Sequence, residues 1–255
     1  MEIAGRAAFV TGANRGLGRH FVDALLARDV SRVYAGARDP DSLAAAVAQH
    51  GDRVVPVPLD VTQGAQIRAA AERLLDVELL VSNAGQGCSV PVLEPADDAP
   101  FRAVFEVNFF GPLNLVRAFA RQLRHSAGGV LFVQSLAALV VSRSSPVYSA
   151  SKAAAMMLAA GVRSELRDDA VTVTSAFPGF VDTDMNTGID APKAHPRAVA
   201  DRCLDAWQDG VLSAFPDRLA QLVESAVVRD MAAVLADPQA VMTGLLAELR
   251  SDQGE

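Results

Sequence analysis

Short apolar runs alternate along the chain with longer, Ala-rich segments of helical period. The apolar runs predict strands, and they are RAAFVTG from Arg6, SRVYAGA from Ser31, RVVPVPLD from Arg53, ELLVSNAG from Glu78, GVLFVQS from Gly129, AVTVTSAFPG from Ala170 and VLSAFPD from Val211. Helices are predicted to start near Leu17, Ser42, Thr62, Ala99, Pro146 and Pro196, and the region at about 217–250 is predicted to be helical.

The predicted strands are apolar on nearly every position, so each must be covered on both faces of its sheet. Strands that alternate with helices are joined by crossovers and therefore run parallel. The pattern predicts an α/β fold with a Rossmann-type, doubly wound parallel β-sheet flanked by helices on both faces. Since no linker rich in Ser, Gly or Pro divides the chain and no internal repeat is visible, we expect one domain over residues 1–255.

Charge argues against a nucleic-acid partner. The chain has 23 Lys and Arg against 30 Asp and Glu, which gives a net charge of -7, and the basic residues form no run. Binding to phosphate backbones requires a concentrated basic surface. A small-molecule ligand is therefore the expected partner.

The sequence also argues against a membrane or metal protein. No window holds 18 uninterrupted apolar residues, and the first residues lack a basic segment followed by an apolar one. Cys88 and Cys203 have no metal-ligand spacing, and the four histidines are dispersed. We expect no metal site and a location in the reducing cytoplasm.

A glycine-rich loop joins the first predicted strand to the first predicted helix. Glycines at such a turn let the backbone approach a pyrophosphate, which the amides and dipole of the helix N-terminus stabilise. The spacing is G-x-x-x-G-x-G rather than G-x-G-x-x-G. The residues expected to bind a dinucleotide here are Thr11, Gly12, Asn14, Arg15, Gly16, Leu17 and Gly18.

The end of the second strand indicates which dinucleotide binds. Arg38 follows Gly18 by twenty residues, where an acidic residue would bind the ribose 2'-hydroxyl of NAD and an arginine can pair with the 2'-phosphate of NADP. Arg15 in the glycine loop adds a second positive charge. The pattern favours NADP(H) over NAD(H), although Asp39 would weaken or reverse this preference if it faced the ribose instead.

Two further strand ends carry polar or small residues. Asp60, followed by Val61, ends the third strand, where its carboxylate could accept a hydrogen bond from the adenine amino group or act near a helix N-terminus. Asn83, Ala84 and Gly85 end the fourth strand, where small residues let a cofactor lie against the strand end.

Taken together, these motifs resemble the short-chain dehydrogenase/reductase family in its single-domain form, of the NADP(H)-preferring carbonyl reductase or ketoreductase type. The elements that match are TGANRGLG at 11–18, LDV at 59–61, NAG at 83–85, Asn108 in VNFFG, Ser135 in VQS, YSASK at 148–152 and PGFVDTDM at 178–185. They follow the family order over about the first 185 residues.

The resemblance implies a catalytic set of Asn108, Ser135, Tyr148 and Lys152. Tyr148 would exchange a proton with the substrate oxygen during hydride transfer, and Ser135 would polarise that oxygen. Lys152 would also bind the nicotinamide ribose, and Asn108 would hold a water that links the lysine to solvent. The residues of the family loop around the nicotinamide amide would be Pro178, Gly179, Val181 and Thr183.

Helix geometry supports this assignment independently. Ser145 and Pro146 are a good N-cap and first-turn pair, so Tyr148 and Lys152 share one face of the helix that follows. A tyrosine ordinarily has a pKa of about 10. We expect the lysine ammonium and a positive nicotinamide to lower it, because they favour the phenolate.

The expected substrate wall is apolar and carries no fixed charge. It consists of Val90, Val92, Leu136, Ala137, Val141, Phe180 and Met185, and the substrate loop spans about 182–196. This favours a hydrophobic ketone, aldehyde or secondary alcohol, unless several of these residues only fill the core. The helices around residues 101–123 and 147–162 are apolar around most of their circumference, which predicts a homodimer.

A non-catalytic NAD(P)-binding sensor or regulatory protein is the alternative reading of the same fold. Such a protein would be expected to have lost the tyrosine or the lysine, and this chain keeps both.

Overall fold

The computed structural model describes residues 1–93 and 97–252. The strands are β1 (Ala7–Thr11), β2 (Arg32–Ala37), β3 (Val54–Pro58), β4 (Val77–Ser82), β5 (Gly129–Val133), β6 (Thr172–Ala176) and β7 (Ser213–Ala214). The helices are α1 (Gly16–Leu26), α2 (Ala44–His50), α3 (Gly64–Arg73), α4 (Ala99–Phe105), α5 (Gly111–Ser126), α6 (Pro146–Glu165), α7 (Pro196–Gln208), α8 (Arg218–Ala236) and α9 (Pro238–Asp252).

All seven strands form one parallel sheet in the order β3-β2-β1-β4-β5-β6-β7. The chain winds outward from β1 to β3, returns to the centre at β4 and then winds in the opposite direction. The carboxyl ends of β1 and β4 therefore flank the point at which the winding reverses, where ligands bind in open α/β sheets. The predicted doubly wound α/β fold is confirmed.

Separate apolar cores cover the two faces of the sheet. On one face α1 and α7 pack on the strands, with Phe21 and Trp207 fully buried. On the other face α3, α5 and α6 cover the strands, with Ile67 and Phe119 fully buried. A third cluster joins α8 and α9 to the chain segments that follow β5 and β6. The C-terminal helices thus lie beside the carboxyl end of the sheet.

Each predicted strand is present, and helices occur at every predicted place. Two local features were not predicted. A wide π-helical turn at Glu106–Phe110 separates α4 from α5, and α8 is kinked at Asp230, which has φ -158° and ψ 86°. Within residues 1–93 and 97–252, no helix is long and apolar enough to cross a membrane.

Candidate functional site

The glycine loop after β1 requires glycine at two positions for different reasons. Gly12 has φ +64°, in the left-handed region that other residues avoid. Gly18 lies within α1, but a Cβ there would be 2.0 Å from the carbonyl oxygen of Gly12. The first turn of α1 therefore packs directly on the loop backbone.

The N-terminus of α1 is open to an anion. Arg15 occupies the N-cap position, and its side chain makes no hydrogen bond to the free amides of the first turn. Free amides, the positive end of the helix dipole and an exposed arginine together suit a pyrophosphate. Asn14, Gly16 and Leu17 are half-buried in the same loop. These residues fit a dinucleotide.

Thr11 links the glycine loop to the end of β4. It is fully buried, and its Oγ1 accepts hydrogen bonds from the amides of Asn83 and Ala84, both at 3.0 Å. Asn83 Nδ2 in turn donates to the carbonyl oxygens of Thr11 at 2.9 Å and Gly12 at 3.3 Å. The Thr11 side chain therefore holds the ends of β1 and β4 together, and a cofactor contact by Thr11 stays a prediction.

The end of β2 presents Arg38 to solvent, whereas Asp39 is engaged in its own loop. Arg38 is exposed and makes no ion pair or side-chain hydrogen bond within the described part of the chain. Asp39 Oδ1 accepts a hydrogen bond from the amide of Asp41 at 3.0 Å and caps the short helical turn Pro40–Leu43. This geometry leaves the guanidinium, rather than the carboxylate, available for a ribose substituent.

The ends of β3 and β4 contain the remaining residues predicted to bind the dinucleotide. Asp60 is half-buried, and its Oδ1 accepts hydrogen bonds from the amide and hydroxyl of Thr62 at 2.9 and 2.8 Å. Val61 is buried in the core beneath α5. A Cβ on Gly85 would lie 3.6 Å from Asn108 Oδ1 and 3.7 Å from Lys152 Nζ. Gly85 therefore joins the dinucleotide end of the cleft to the predicted catalytic groups.

Asn108 is held rigidly inside the π-helical turn. Its Oδ1 accepts a hydrogen bond from the amide of Gln86 at 2.9 Å, and its Nδ2 donates to the carbonyl oxygen of Gln86 at 2.9 Å. The same Nδ2 also donates to Ser151 Oγ at 2.9 Å, and Ser151 donates to the carbonyl oxygen of Tyr148 at 2.7 Å. Asn108 thus fixes the loop after β4 against α6.

Ser135, Tyr148 and Lys152 converge at the end of β5. Lys152 Nζ donates to the carbonyl oxygen of Val133 at 3.1 Å and lies 6.0 Å from the centre of the Tyr148 ring. Ser135 Oγ accepts from the amide of Ala137 at 3.2 Å, and its hydroxyl lies close enough to the Tyr148 phenol to affect the pKa of that phenol. Ser145 occupies the N-cap position of α6 but, contrary to the prediction, makes no side-chain cap hydrogen bond.

Burial shifts the two titrating groups of this cluster in opposite directions. Desolvation raises the pKa of Tyr148 above its usual value, and the nearby Ser135 hydroxyl opposes this rise without cancelling it. Desolvation lowers the pKa of Lys152 to about 8. Among the protein's own groups burial has the largest effect on the pKa of Tyr148, so the expected lowering by Lys152 is not observed.

The depressed lysine pKa predicts a pH-dependent stability. An unfolded lysine titrates near about 10.4, so above about pH 8 the folded chain has released a proton that the unfolded chain still binds. Stability contributed by this group consequently rises with pH between these two values. Relative to Lys152→Met, the wild-type free energy of unfolding is expected to increase by about 1 kcal/mol from pH 7 to pH 9.

Urea denaturation of both proteins at the two pH values measures this difference, and groups common to both proteins cancel. A difference that stayed constant or fell with pH would contradict the low pKa of Lys152.

The segment after β6 connects the catalytic cluster to the glycine loop. The amide of Leu136 donates to the carbonyl oxygen of Pro178 at 3.1 Å, beside Ser135.

Farther along the same segment, Thr183 Cγ2 would lie 3.5 Å from a Cβ on Gly16. Val181 is buried and pairs with Ala194 in an isolated parallel bridge, which closes the base of the predicted substrate loop at 182–196. Arg15 reaches the same loop through Asp184, at 3.3 Å between exposed side chains.

The predicted substrate residues divide into two groups. Val92, Val141 and Met185 are 50%, 41% and 55% exposed, which is unusual for large apolar side chains. Leu136 is buried in the cluster beneath α8 and α9, and Phe180 is half-buried against the same cluster. The position of Leu136 fits the core role that the sequence left open, and its substrate contact stays a prediction. Val90 and Ala137 are half-buried.

Three polar residues near the site escaped the sequence-based prediction. Gln86 and Ser151 bind Asn108 as described above. Asp217 caps α8 and also binds the amide of Gly179. A serine immediately before Lys152 and an aspartate before a helix are weak local signals, and their partners are distant in sequence.

Comparison with known proteins identifies the family of this chain. Residues 6–194 match the family model described as short chain dehydrogenase. A short chain dehydrogenase from Burkholderia cenocepacia J2315, whose crystal structure is a complex with NADP, has 41% sequence identity and a TM-score of 0.88 over 92% of this chain and 98% of that chain.

Curated relatives include enzymes with different substrates. An NADPH-dependent 1-acyldihydroxyacetone phosphate reductase of Saccharomyces cerevisiae is 37% identical over 185 residues, which are 70% of this chain and 62% of that protein. A 1-deoxy-11-beta-hydroxypentalenate dehydrogenase of Streptomyces exfoliatus is 34% identical over 205 residues, which are 76% of this chain and 74% of that protein. The chain spans between half and two thirds of the length of the yeast protein and of two Penicillium relatives.

Proposed function

Because the chain belongs to the short-chain dehydrogenase family and is an NAD(P)-dependent oxidoreductase, we propose that it uses NADP(H) to interconvert a ketone or aldehyde and an alcohol. The observation that carries this proposal is the convergence of Ser135, Tyr148 and Lys152 beside Gly85, at the edge of the dinucleotide cleft. The non-catalytic alternative has no comparable support, since both the tyrosine and the lysine are present.

In the proposed reaction, Tyr148 donates its phenolic proton to the substrate carbonyl oxygen. The bound nicotinamide supplies the hydride in this direction and accepts it in the reverse one. Burial raises the pKa of Tyr148, so the phenol holds its proton at neutral pH and depends on a neighbouring positive charge to stabilise the phenolate that forms when it acts as an acid. Ser135 donates a hydrogen bond to the same substrate oxygen and holds it next to the phenol. Both effects support reduction of a carbonyl compound.

Lys152 holds positive charge next to the reacting proton. Its pKa of about 8 keeps it largely protonated at pH 7, and the ammonium stabilises negative charge on the phenolate after proton transfer. Asn108 positions Lys152 indirectly, through Ser151 and the helix α6. We propose that a water held by Asn108 links Lys152 to solvent and so returns the proton that Tyr148 has donated.

The preference for NADP(H) is supported by the exposed, unengaged guanidinium of Arg38 at the end of β2. The Burkholderia cenocepacia structure with 41% identity contains NADP, and the yeast relative is NADPH-dependent. We infer that Arg38 pairs with the 2'-phosphate and that Arg15 adds a second charge nearby.

Replacing Arg38 by alanine is expected to weaken NADPH binding by about 10- to 100-fold, because one hydrogen bond to a charged group is lost. NADH lacks the 2'-phosphate, so its Kd should change by less than about threefold. Fluorescence titration of the reduced nucleotides at one fixed ionic strength measures both constants.

Arg32→Ala is the matched control, since Arg32 starts the same strand but lies 3.8 Å from Asp76 at the strand's opposite end. Equal weakening of NADPH and NADH binding by Arg38→Ala would contradict the assignment.

We propose a hydrophobic substrate because three of the predicted substrate residues are exposed apolar side chains. Val92, Val141 and Met185 offer no fixed charge to a phosphate or carboxylate. Purified protein is mixed with NADPH and a panel of aromatic and aliphatic ketones and aldehydes, alongside anionic sugars, and loss of cofactor absorbance is followed. Turnover of the anionic sugars alone would overturn the substrate proposal, and no turnover of any carbonyl compound or alcohol would overturn the reaction.

We also propose that two copies pair through the α5 and α6 surface, in the reducing environment that suits two free cysteines. Phe110 at the start of α5 is 41% exposed, and Met157 on α6 is 67% exposed. Light scattering at micromolar concentration is expected to give the mass of a dimer, and a monomer mass would contradict the pairing.

A further inference from the structure

Asp217 is a buried carboxylate outside the predicted catalytic set. It is only 4% exposed and belongs to the C-terminal region that carries none of the matched motifs. Its Oδ1 accepts a hydrogen bond from the amide of Ala220 at 2.9 Å, and its Oδ2 accepts one from the amide of Gly179 at 2.8 Å. One carboxylate therefore caps α8 and also holds the segment that follows β6.

The contact with Gly179 leaves no space for another residue. A Cβ on Gly179 would lie 2.8 Å from Asp217 Oδ1 and 3.3 Å from both Leu136 Cδ1 and Leu219 Cβ. On its other side the Pro178–Gly179 turn is held by the amide of Leu136, the residue after Ser135. The turn is thus fixed between the serine that we place at the substrate oxygen and the first turn of α8.

Burying this charge costs free energy, so we expect Asp217 to have a second role besides capping α8. A serine or asparagine would cap α8 about as well without placing a full charge in the interior. Desolvation raises the pKa of Asp217, whereas hydrogen bonds from backbone amides and the positive charge of Arg202 oppose that rise. Only an ionised carboxylate can accept from Gly179 and Ala220 with two equivalent oxygens.

We propose that Asp217 is a positioning residue for the nicotinamide end of the cofactor, acting through the amide of Gly179 on the Pro178–Gly179 turn. This inference rests on the proposed function, because it takes that turn to be the wall of the nicotinamide site. The C-terminal helices, which lie beside the carboxyl end of the sheet, would then also help to position the cofactor.

Asp217→Asn separates the two roles of this side chain. Its amide oxygen can still accept from Ala220 and cap α8, but its NH2 group would face the amide of Gly179, donor against donor. Asp237→Asn is the matched control, because Asp237 caps the first turn of α9 at 3.0 Å from the amide of Ala240. Asp217→Ser, which keeps a cap but is too short to reach Gly179, serves as a second variant.

The readout compares NADPH with adenosine 2',5'-bisphosphate, a fragment that lacks the nicotinamide. In both Asp217 variants the Kd for NADPH is expected to rise by about tenfold while the Kd for the fragment stays within about twofold. The kcat should fall by a similar or larger factor with little change in the KM of the carbonyl substrate. Asp237→Asn should leave all of these values unchanged.

The inference and the function that underlies it fail in different ways. Wild-type protein that binds the fragment but not NADPH, or reduces no carbonyl compound, would remove the proposed function. The positioning role alone would be overturned if the wild-type protein reduces a carbonyl compound and the Asp217 variants keep its ratio of the Kd for NADPH to the Kd for the fragment. Loss of fragment and NADPH binding together would also overturn it, since Asp217 would then maintain the fold rather than one turn.

Discussion

Replacing Tyr148 by phenylalanine is expected to lower kcat by about 10²- to 10⁴-fold, the range that general acid catalysis contributes. The substitution removes one oxygen atom and leaves the ring in its place on α6. No other phenol can take over the proton transfer, because the chain contains two tyrosines and the second, Tyr34, binds Asp76 at 2.8 Å on the β2 strand. The Kd for NADPH should change by less than about threefold, because in the proposed site the glycine loop and Arg38 make the main contacts with the nucleotide.

Tyr34→Phe provides a matched control for the same chemical change. It removes one hydrogen bond to Asp76 and is expected to cost about 1 kcal/mol of stability with no effect on kcat. Steady-state kinetics with NADPH and fluorescence titration of the cofactor measure the two effects separately. A Tyr148→Phe enzyme with wild-type kcat would remove this tyrosine from the reaction.

The parts of the fold that the sequence predicts are those set by local pattern. Apolar runs of strand length and Ala-rich helical segments are visible without knowledge of their partners, and they gave the α/β architecture. The same holds for the glycine loop and for Tyr148 and Lys152, whose spacing of four places them on one helix face.

What the sequence does not predict depends on contacts between distant segments. Thr11 lies in the glycine motif, yet its hydroxyl binds the amides of Asn83 and Ala84 on another strand. Asp217 reads as an ordinary helix cap until its second oxygen is found at the amide of Gly179. The π-helical turn that orients Asn108 likewise depends on its hydrogen bonds with Gln86 and Ser151.

The direction of the Tyr148 pKa shift likewise could not be predicted from the sequence. From sequence, a lysine one turn away indicates a lowered tyrosine pKa, whereas in the structure Lys152 Nζ turns to the carbonyl oxygen of Val133 and burial raises the pKa of the phenol. Whether the pKa of the phenol rises or falls depends on its burial, and the spacing of residues in the sequence does not reveal burial. In the proposed reaction the positive charge of the oxidised nicotinamide would act against this burial effect.

Gly18→Ala is expected to abolish productive cofactor binding, with a Kd for NADPH at least about 100-fold above wild type. The added Cβ would lie 2.0 Å from the carbonyl oxygen of Gly12 and 2.6 Å from Asn83 Nδ2. The first of these is backbone, so no rotamer change relieves the clash, and α1 must move away from the loop. That movement would displace the free amides at the N-terminus of α1 from the proposed pyrophosphate position and is expected to cost about 1–3 kcal/mol of stability.

Gly244→Ala is the matched control, because Gly244 also lies within a helix, α9, but a Cβ there meets nothing within 4 Å. Removing a glycine from an exposed helix interior should stabilise the protein by about 0.5–1 kcal/mol and leave the Kd for NADPH unchanged. The same substitution is thus expected to have opposite effects on stability at the two sites, which thermal denaturation and fluorescence titration measure. Wild-type NADPH affinity in Gly18→Ala would show that the close contact between α1 and the loop is not needed for the cofactor site, and the pyrophosphate would have to bind elsewhere.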